Sequence, residues 1–130
     1  GEAAAIAQEF TAAKKFLPGY GHPIHVNGDP RVKRLDEVAR AAGAAGTYID
    51  AMYLLGDAIK EASGKNIVIN VNAAIGAVLL EASIPPKIAR GFNLIARCAG
   101  LVGHLLEEQE EPAGYHIWKA ADEAVPYEAP

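Results

Sequence analysis

His22 and Arg31 stand nine residues apart, in Pro18-Gly19-Tyr20-Gly21-His22-Pro23-Ile24-His25 and the Asp29-Pro30-Arg31 that follows. An imidazole can give or take a proton near neutrality, and a guanidinium grips a carboxylate through paired N–H donors. The glycines on either side of Tyr20 permit close approaches that a Cβ forbids. Together these residues suit a site for a carboxylate-bearing metabolite. Gly-x-Gly-His by itself equally spells a glycine turn with a solvated histidine.

The elements that must hold these residues read almost entirely as helices. Ile6, Phe10, Ala13 and Leu17 recur with helical period and predict a first helix over 3–16, stopped by Pro18-Gly19. Asp29-Pro30 offers an N-cap and a first-turn proline for a second helix. Its inward face is Val32, Leu35, Val38, Ala39 and Ala42, and Gly43 ends it. Thr47 with Asp50 resembles a capping box, opening a third helix that buries Ile49, Met52, Tyr53, Gly56 and Ile59 and runs to Ser63-Gly64. Ile67-Val68-Ile69-Asn70-Val71 has strand composition but no strand of similar quality to pair with. It reads as an extended buried connection to a fourth helix over 73–82. Pro85-Pro86 breaks the chain, with Pro86 able to open a short helical turn. A long helix over 92–110 follows, and a last short one over 115–124. Gly100 and Gly103 inside the long helix predict a close helix–helix approach.

One domain's worth of chain, 130 residues with net charge −4, gives no basic stripe for nucleic acid. No run approaches a membrane span, and the Ala-rich start lacks the basic region of a signal peptide. A single cysteine, Cys98, excludes a disulfide framework and reads as a small buried apolar residue. A reducing, cytoplasmic setting is the default. His22 and His25 without a neighbouring cysteine make a poor ligand set, so no metal is expected. Gly1 without a preceding methionine suggests a processed, cut or tagged start.

The segment PGYGHPIHVNGDPR resembles the PGYGHAV–DPR stretch of citrate synthases and, more so, the GHP–DPR form in citryl-CoA lyases of that superfamily. The likeness continues in Asn70-Val71-Asn72 with Gly76, in Ile84-Pro85, in Ile95-Ala96-Arg97 and in Gly100-Leu101-Val102-Gly103-His104. Glu107-Glu108, Pro112-Ala113-Gly114-Tyr115 and Ala121-Asp122-Glu123-Ala124 again resemble the lyase branch. The resemblance implies an all-α fold: a multi-helical small domain over 1–84, then C-terminal helices over 85–130 that in the family pack on a large domain. It also implies a reaction, making or cleaving the carbon–carbon bond between acetyl-CoA and oxaloacetate.

That chemistry needs a base for the acetyl methyl, a donor for the enolate oxygen and cationic clamps for the diacid. By resemblance His22 is catalytic and holds the carbonyl or hydroxyl of the oxaloacetate end, while Arg31 and Arg97 clamp carboxylates. An arginine amid Leu94, Ile95, Ala96 and Leu101 otherwise lacks an anion. Asn72 occupies the place of the family's catalytic Asp, and an amide cannot accept a proton as a carboxylate does. Inactivity in the condensing direction, a branch with different proton transfer, and an engineered change all remain open. Leu17, Pro18, Gly19, Tyr20 and Gly21 match the segment that wraps coenzyme A, the acyl-carrying substrate. The basic residue usual just after Gly-x-Gly-His is absent, Val26 and Asn27 standing there, and Lys33 or Lys65 is left to meet the phosphates.

His25 serves equally as a neighbour of the site or as a solvated loop residue. His104 reads as packing or capping, Glu107, Glu108, Glu110 and Glu111 as a solvated helix end, and Tyr115 and Trp118 as packing the tail onto a neighbour. The family histidine that serves as enolate donor precedes the first residue here. The large-domain segment is therefore an expected partner, with a homo-oligomeric assembly, and the chain alone is expected to be a poor catalyst. Two other classes stay in view: a non-catalytic carboxylate- or CoA-binding or assembly module, and a structural helical remnant.

Overall fold

Six α-helices and one 3₁₀ turn account for the regular structure of the computed structural model, which describes residues 1–127. They are α1 (Glu2–Ala12), α2 (Pro30–Ala41), α3 (Thr47–Ser63), α4 (Val71–Glu81), the 3₁₀ turn Pro86–Ile88, α5 (Ala89–Glu110) and α6 (Gly114–Ala124). No strand occurs among the described residues, so the all-α expectation holds. The segment before α4 is extended, as its composition predicts, and makes one isolated antiparallel bridge, Tyr20 to Ile69.

Helix ends follow local chemistry, with three departures from expectation. α1 stops at Ala12 rather than near residue 16. Lys14 turns left-handed (φ 52°), and the Lys15 and Lys14 amides close back on the Phe10 and Thr11 carbonyls at 3.0 and 3.1 Å, a Schellman ending. Gly43 and Ser83 close α2 and α4 with the same bond pattern. α2 begins as predicted, the Asp29 side chain accepting from the Arg31 amide with Pro30 in the first turn. At α3 the capping box does not form. Gly46 is the N-cap and Asp50 pairs instead with Arg40 at 2.6 Å. The orphan amides of Gly46, Tyr48 and Ile49 donate to the Glu81 carboxylate, brought from the last turn of α4, at 3.1, 2.5 and 3.2 Å. α4 starts at Val71, two residues early, because Asn70 caps it by accepting from the Asn72 amide.

The chain divides into two units, residues 1–93 and the residues from Leu94 on. In the first unit, α2, α3 and α4 bury Val32, Ala39, Ile49, Met52, Ala74 and Ala77 together. A second cluster joins Ala7 of α1, Ile59 of α3 and Tyr20. The inward face predicted for α3 is correct. That of α2 is narrower than predicted, since Val38 is 48% exposed and Ala42 is exposed as well. In the second unit no residue of α5 or α6 is buried. Cys98 is exposed rather than buried, because the apolar side of α5 on which it lies is uncovered in the structure. A Cβ at Gly100 or Gly103 would meet nothing within 4 Å, so the predicted close approach is not made here. His104 neither packs nor caps; it is exposed, 3.3 Å from Glu107. Tyr115 and Trp118 lie beside each other, ring centroids 5.9 Å apart, and both are largely exposed. No helix of the described residues is long and apolar enough to cross a membrane.

Candidate functional site

Residues 17–28 bind to the strand-like stretch before α4, and this fixes where His22 stands. The Gly21 amide donates to the Val68 carbonyl at 2.6 Å and the Asn70 amide to the Gly19 carbonyl at 2.9 Å. The Asn70 side-chain amide adds a donation to the Gly21 carbonyl at 2.8 Å, while its oxygen caps α4. Gly19 (φ +93°) is required twice over, because a Cβ there would sit 2.8 Å from the Cβ of Ala73. What Gly19 lets approach is therefore α4. Gly21 (φ +95°) faces open space and needs glycine only for its left-handed backbone. Tyr20 between them is buried, its hydroxyl donating to the Met52 carbonyl at 2.9 Å, and burial pushes its pKa up to about 12.

His22 is held from behind. Its Nδ1 accepts from the amides of Ile24 and His25, both at 3.0 Å. That network assigns the ring proton to Nε2. Nε2 lies 3.4 Å from Nη2 of Arg31. The His25 ring packs on that of His22, centroids 4.5 Å apart, so His25 is a neighbour of the site.

Arg31 also has a fixed back side. Asp29 Oδ1 accepts from Arg31 Nε and Oδ2 from Nη2, each at 2.8 Å. The carboxylate that pairs bidentately with this arginine is thus internal. A guanidinium has five N–H donors, and the three not used by Asp29 remain for a ligand. The Asp29 side chain is fully buried and that of Arg31 about half exposed (49%). Hydrogen bonds from the Arg31 side chain, and then from the Arg31 and Val71 amides, outweigh desolvation and hold the Asp29 carboxyl down at about 2; the Arg31 pKa is raised in turn. Sequence reasoning found Asp29 only as a cap.

Asn72 is exposed in the first turn of α4, one residue after Val71, whose amide donates to Asp29 Oδ2 at 2.9 Å. Its side-chain oxygen accepts from Asn93 at 3.1 Å. Asn93, unmarked in the sequence, is thus the residue that Asn72 contacts. The structure brings His22 and Arg31 together and ties Arg31 to the start of α4. Arg97 belongs to the second unit, exposed on α5; among the described residues the ion pairs of α5 and α6 are His104–Glu107 and Lys119–Glu123, and Arg97 is in neither.

Beside His22 opens a cleft of about 800 Å³, lined by Leu17, Pro18, Gly19, Tyr20 and Gly21 and walled by Phe10, Phe16 and Val26. Lys15 and Lys65 are among its lining residues, whereas Lys33 is not. Such a cleft, apolar with two ammonium groups, can take a flat ring and an anionic tail.

Comparison with known proteins gives the family and the fold. The family model described as citrate synthase, C-terminal domain, matches residues 2–120. Among solved structures, the citryl-CoA lyase of Hydrogenobacter thermophilus is similar with TM-score 0.72 and 36% identity. The match covers 82% of this chain and 41% of the lyase chain, so this chain spans less than half of that relative's length. No curated protein matches the chain.

Proposed function

The chain belongs to the citrate synthase family, by its C-terminal domain, and from that premise we propose that it supplies the diacid-gripping half of a citryl-CoA lyase or citrate synthase type site. The reaction is cleavage of citryl-CoA to acetyl-CoA and oxaloacetate, or its reverse. The observation that carries this reading is the pair His22 Nε2 and Arg31 Nη2, 3.4 Å apart. With Nδ1 accepting two amides, both facing atoms are donors, and two donors cannot satisfy each other. An anionic or carbonyl oxygen between them satisfies both. Oxaloacetate offers a carboxylate and an adjacent carbonyl in that relation.

In the cleaving direction, a base takes the proton of the tertiary hydroxyl and the bond to the acetyl carbon breaks. The electron pair passes into the thioester enolate, which is then protonated at carbon. His22, donating through Nε2, stabilises the oxygen that becomes the oxaloacetate carbonyl. Arg31 holds a carboxylate of the diacid; Arg97, in the second unit, is by resemblance also a carboxylate clamp. Acyl-CoA occupies the cleft at residues 17–21, with Lys15 and Lys65 meeting phosphates. Asn72 cannot take a proton, so the base is another group, and by resemblance the enolate donor is a histidine of the large domain. Residues 1–84 serve as small domain, and the helices of 85–130 use their apolar faces on a large domain; a cytoplasmic homo-oligomer accompanies this reading. Calorimetric titration of oxaloacetate and CoA tests it: both bind, and His22→Ala weakens oxaloacetate at least tenfold while sparing CoA. The 130-residue chain alone turns over no citryl-CoA; turnover near that of full-length lyases refutes the division of labour.

Asn72 favours a second reading, a carboxylate- or CoA-binding module without catalysis. Its oxygen is already engaged by Asn93. Condensing activity gained by Asn72→Asp, in the presence of the large domain, points to an enzyme that lost its base; its absence leaves the binding module.

A further inference from the structure

One buried carboxylate does more at this site than capping requires. Asp29 accepts four hydrogen bonds: from the Arg31 amide (3.1 Å), Arg31 Nε (2.8 Å), Arg31 Nη2 (2.8 Å) and the Val71 amide (2.9 Å). The cap needs only the first, and Asn or Ser caps as well as Asp does. An Asn at this position offers a single acceptor oxygen and would turn its NH₂ toward donors. A fully buried charge persists where its partners compensate desolvation. The chain's use of a carboxylate here therefore answers to the arginine fork and to the first amide of α4. Held by that fork, Nη2 stands beside His22 Nε2. Without it, a half-exposed arginine samples many rotamers, and ordering them opposes each binding event.

We infer that Asp29 is a positioning residue for diacid binding, aligning the Arg31 guanidinium with His22 and fixing that pair to the start of α4. The inference rests on the reading of the site given above and adds a determinant to it. Neutralised by Asp29, Arg31 recognises its ligand through donor geometry rather than through free charge.

The test is a double-mutant cycle on the whole chain. Asp29→Asn keeps the helix cap and the far-ultraviolet circular dichroism, and weakens oxaloacetate binding at least tenfold by calorimetry. Added to Arg31→Ala it weakens binding no further than twofold. Arg31→Lys, which keeps charge and loses the fork, falls as far as Arg31→Ala; this variant also covers the case that Asp29→Asn does not fold. Oxaloacetate affinity within twofold of the parent in folded Asp29→Asn, or losses that multiply in the double variant, overturns the inference. Should the parent give no heat with oxaloacetate, the reading of the site itself fails, and NMR of the Arg31 Nε–H decides the lock separately. Protection from exchange that vanishes in Asp29→Asn upholds it; exchange at the free-arginine rate in the parent overturns it.

Discussion

At the scale of single residues, the two strongest electrostatic statements lie on either side of one loop. Asp29 has its folded pKa held at about 2 against an ordinary 3.8. Folding therefore gains from its ionisation above about pH 4, and the gain is lost as pH falls through about 2. Allowing for the solvent reach of Arg31, this amounts to about 1–2 kcal/mol. The unfolding free energy from urea titrations should drop by that amount between pH 5 and pH 2, with a flatter profile in Asp29→Asn. Tyr20 gives the opposite slope. Its folded pKa is about 12 against 10, so stability is whole below pH 10 and declines as pH rises toward 12. Tyr20→Phe removes that decline and loses the bond to the Met52 carbonyl, costing about 1 kcal/mol at neutrality. The sequence shows Asp29 as a cap because Asp-Pro is a local signal. It does not show the clamp, because a cap and a salt-bridge partner are spelled alike and only the fold brings Val71 to the second oxygen.

At the scale of elements, the helix ends separate what is local from what is not. Three Schellman endings place Lys14, Gly43 and Ser83 in left-handed backbone, at φ 52°, 89° and 58°. Of these three only Gly43 is the residue type that region favours, so among them only the stop of α2 is readable in advance; Gly64, left-handed at φ 66°, marks the end of α3 in the same legible way. Lys14→Gly and Ser83→Gly should each raise stability by about 0.5–1 kcal/mol, since a Cβ no longer opposes the turn. Chemical denaturation measures this, with Gly43→Ala as the control that loses stability. The start of α3 was unreadable for a different reason. Thr47 and Asp50 form a plausible box, yet Glu81, more than thirty positions later, takes its place by accepting the Gly46, Tyr48 and Ile49 amides. Glu81→Ala should cost about 1–2 kcal/mol, the loss of a cap and of a charge at a helix N-terminus, and Thr47→Ala much less.

At the scale of the whole molecule, helical periodicity marks apolar faces without saying what covers them. For α3 the answer lies within the chain: Ile49, 1% exposed, and Met52 pack with residues of α2 and α4, and Ile59 with α1 and Tyr20. For α5 and α6 the same pattern yields Leu94, Leu101, Val102, Leu105, Leu106, Ile117 and Trp118, each more than half exposed. An isolated helix as short as α6, 11 residues, is marginal in water, and most helical stability in proteins comes from a buried face. The contrast has a direct readout. Ile49→Ala should destabilise the chain by about 2–4 kcal/mol, whereas Leu101→Ala should change the unfolding of residues 1–93 by less than about 0.5 kcal/mol. Native-state hydrogen exchange should divide likewise, the Ile49–Ile59 amides opening only with global unfolding and those of α5 beyond Asn93 and of α6 exchanging far sooner. On the function proposed above, adding the large domain slows exchange in α5 and α6 selectively. Equal protection of α6 and α3 in the chain alone would mean that the exposed faces are already covered, and the case for a missing partner segment would lose its physical basis.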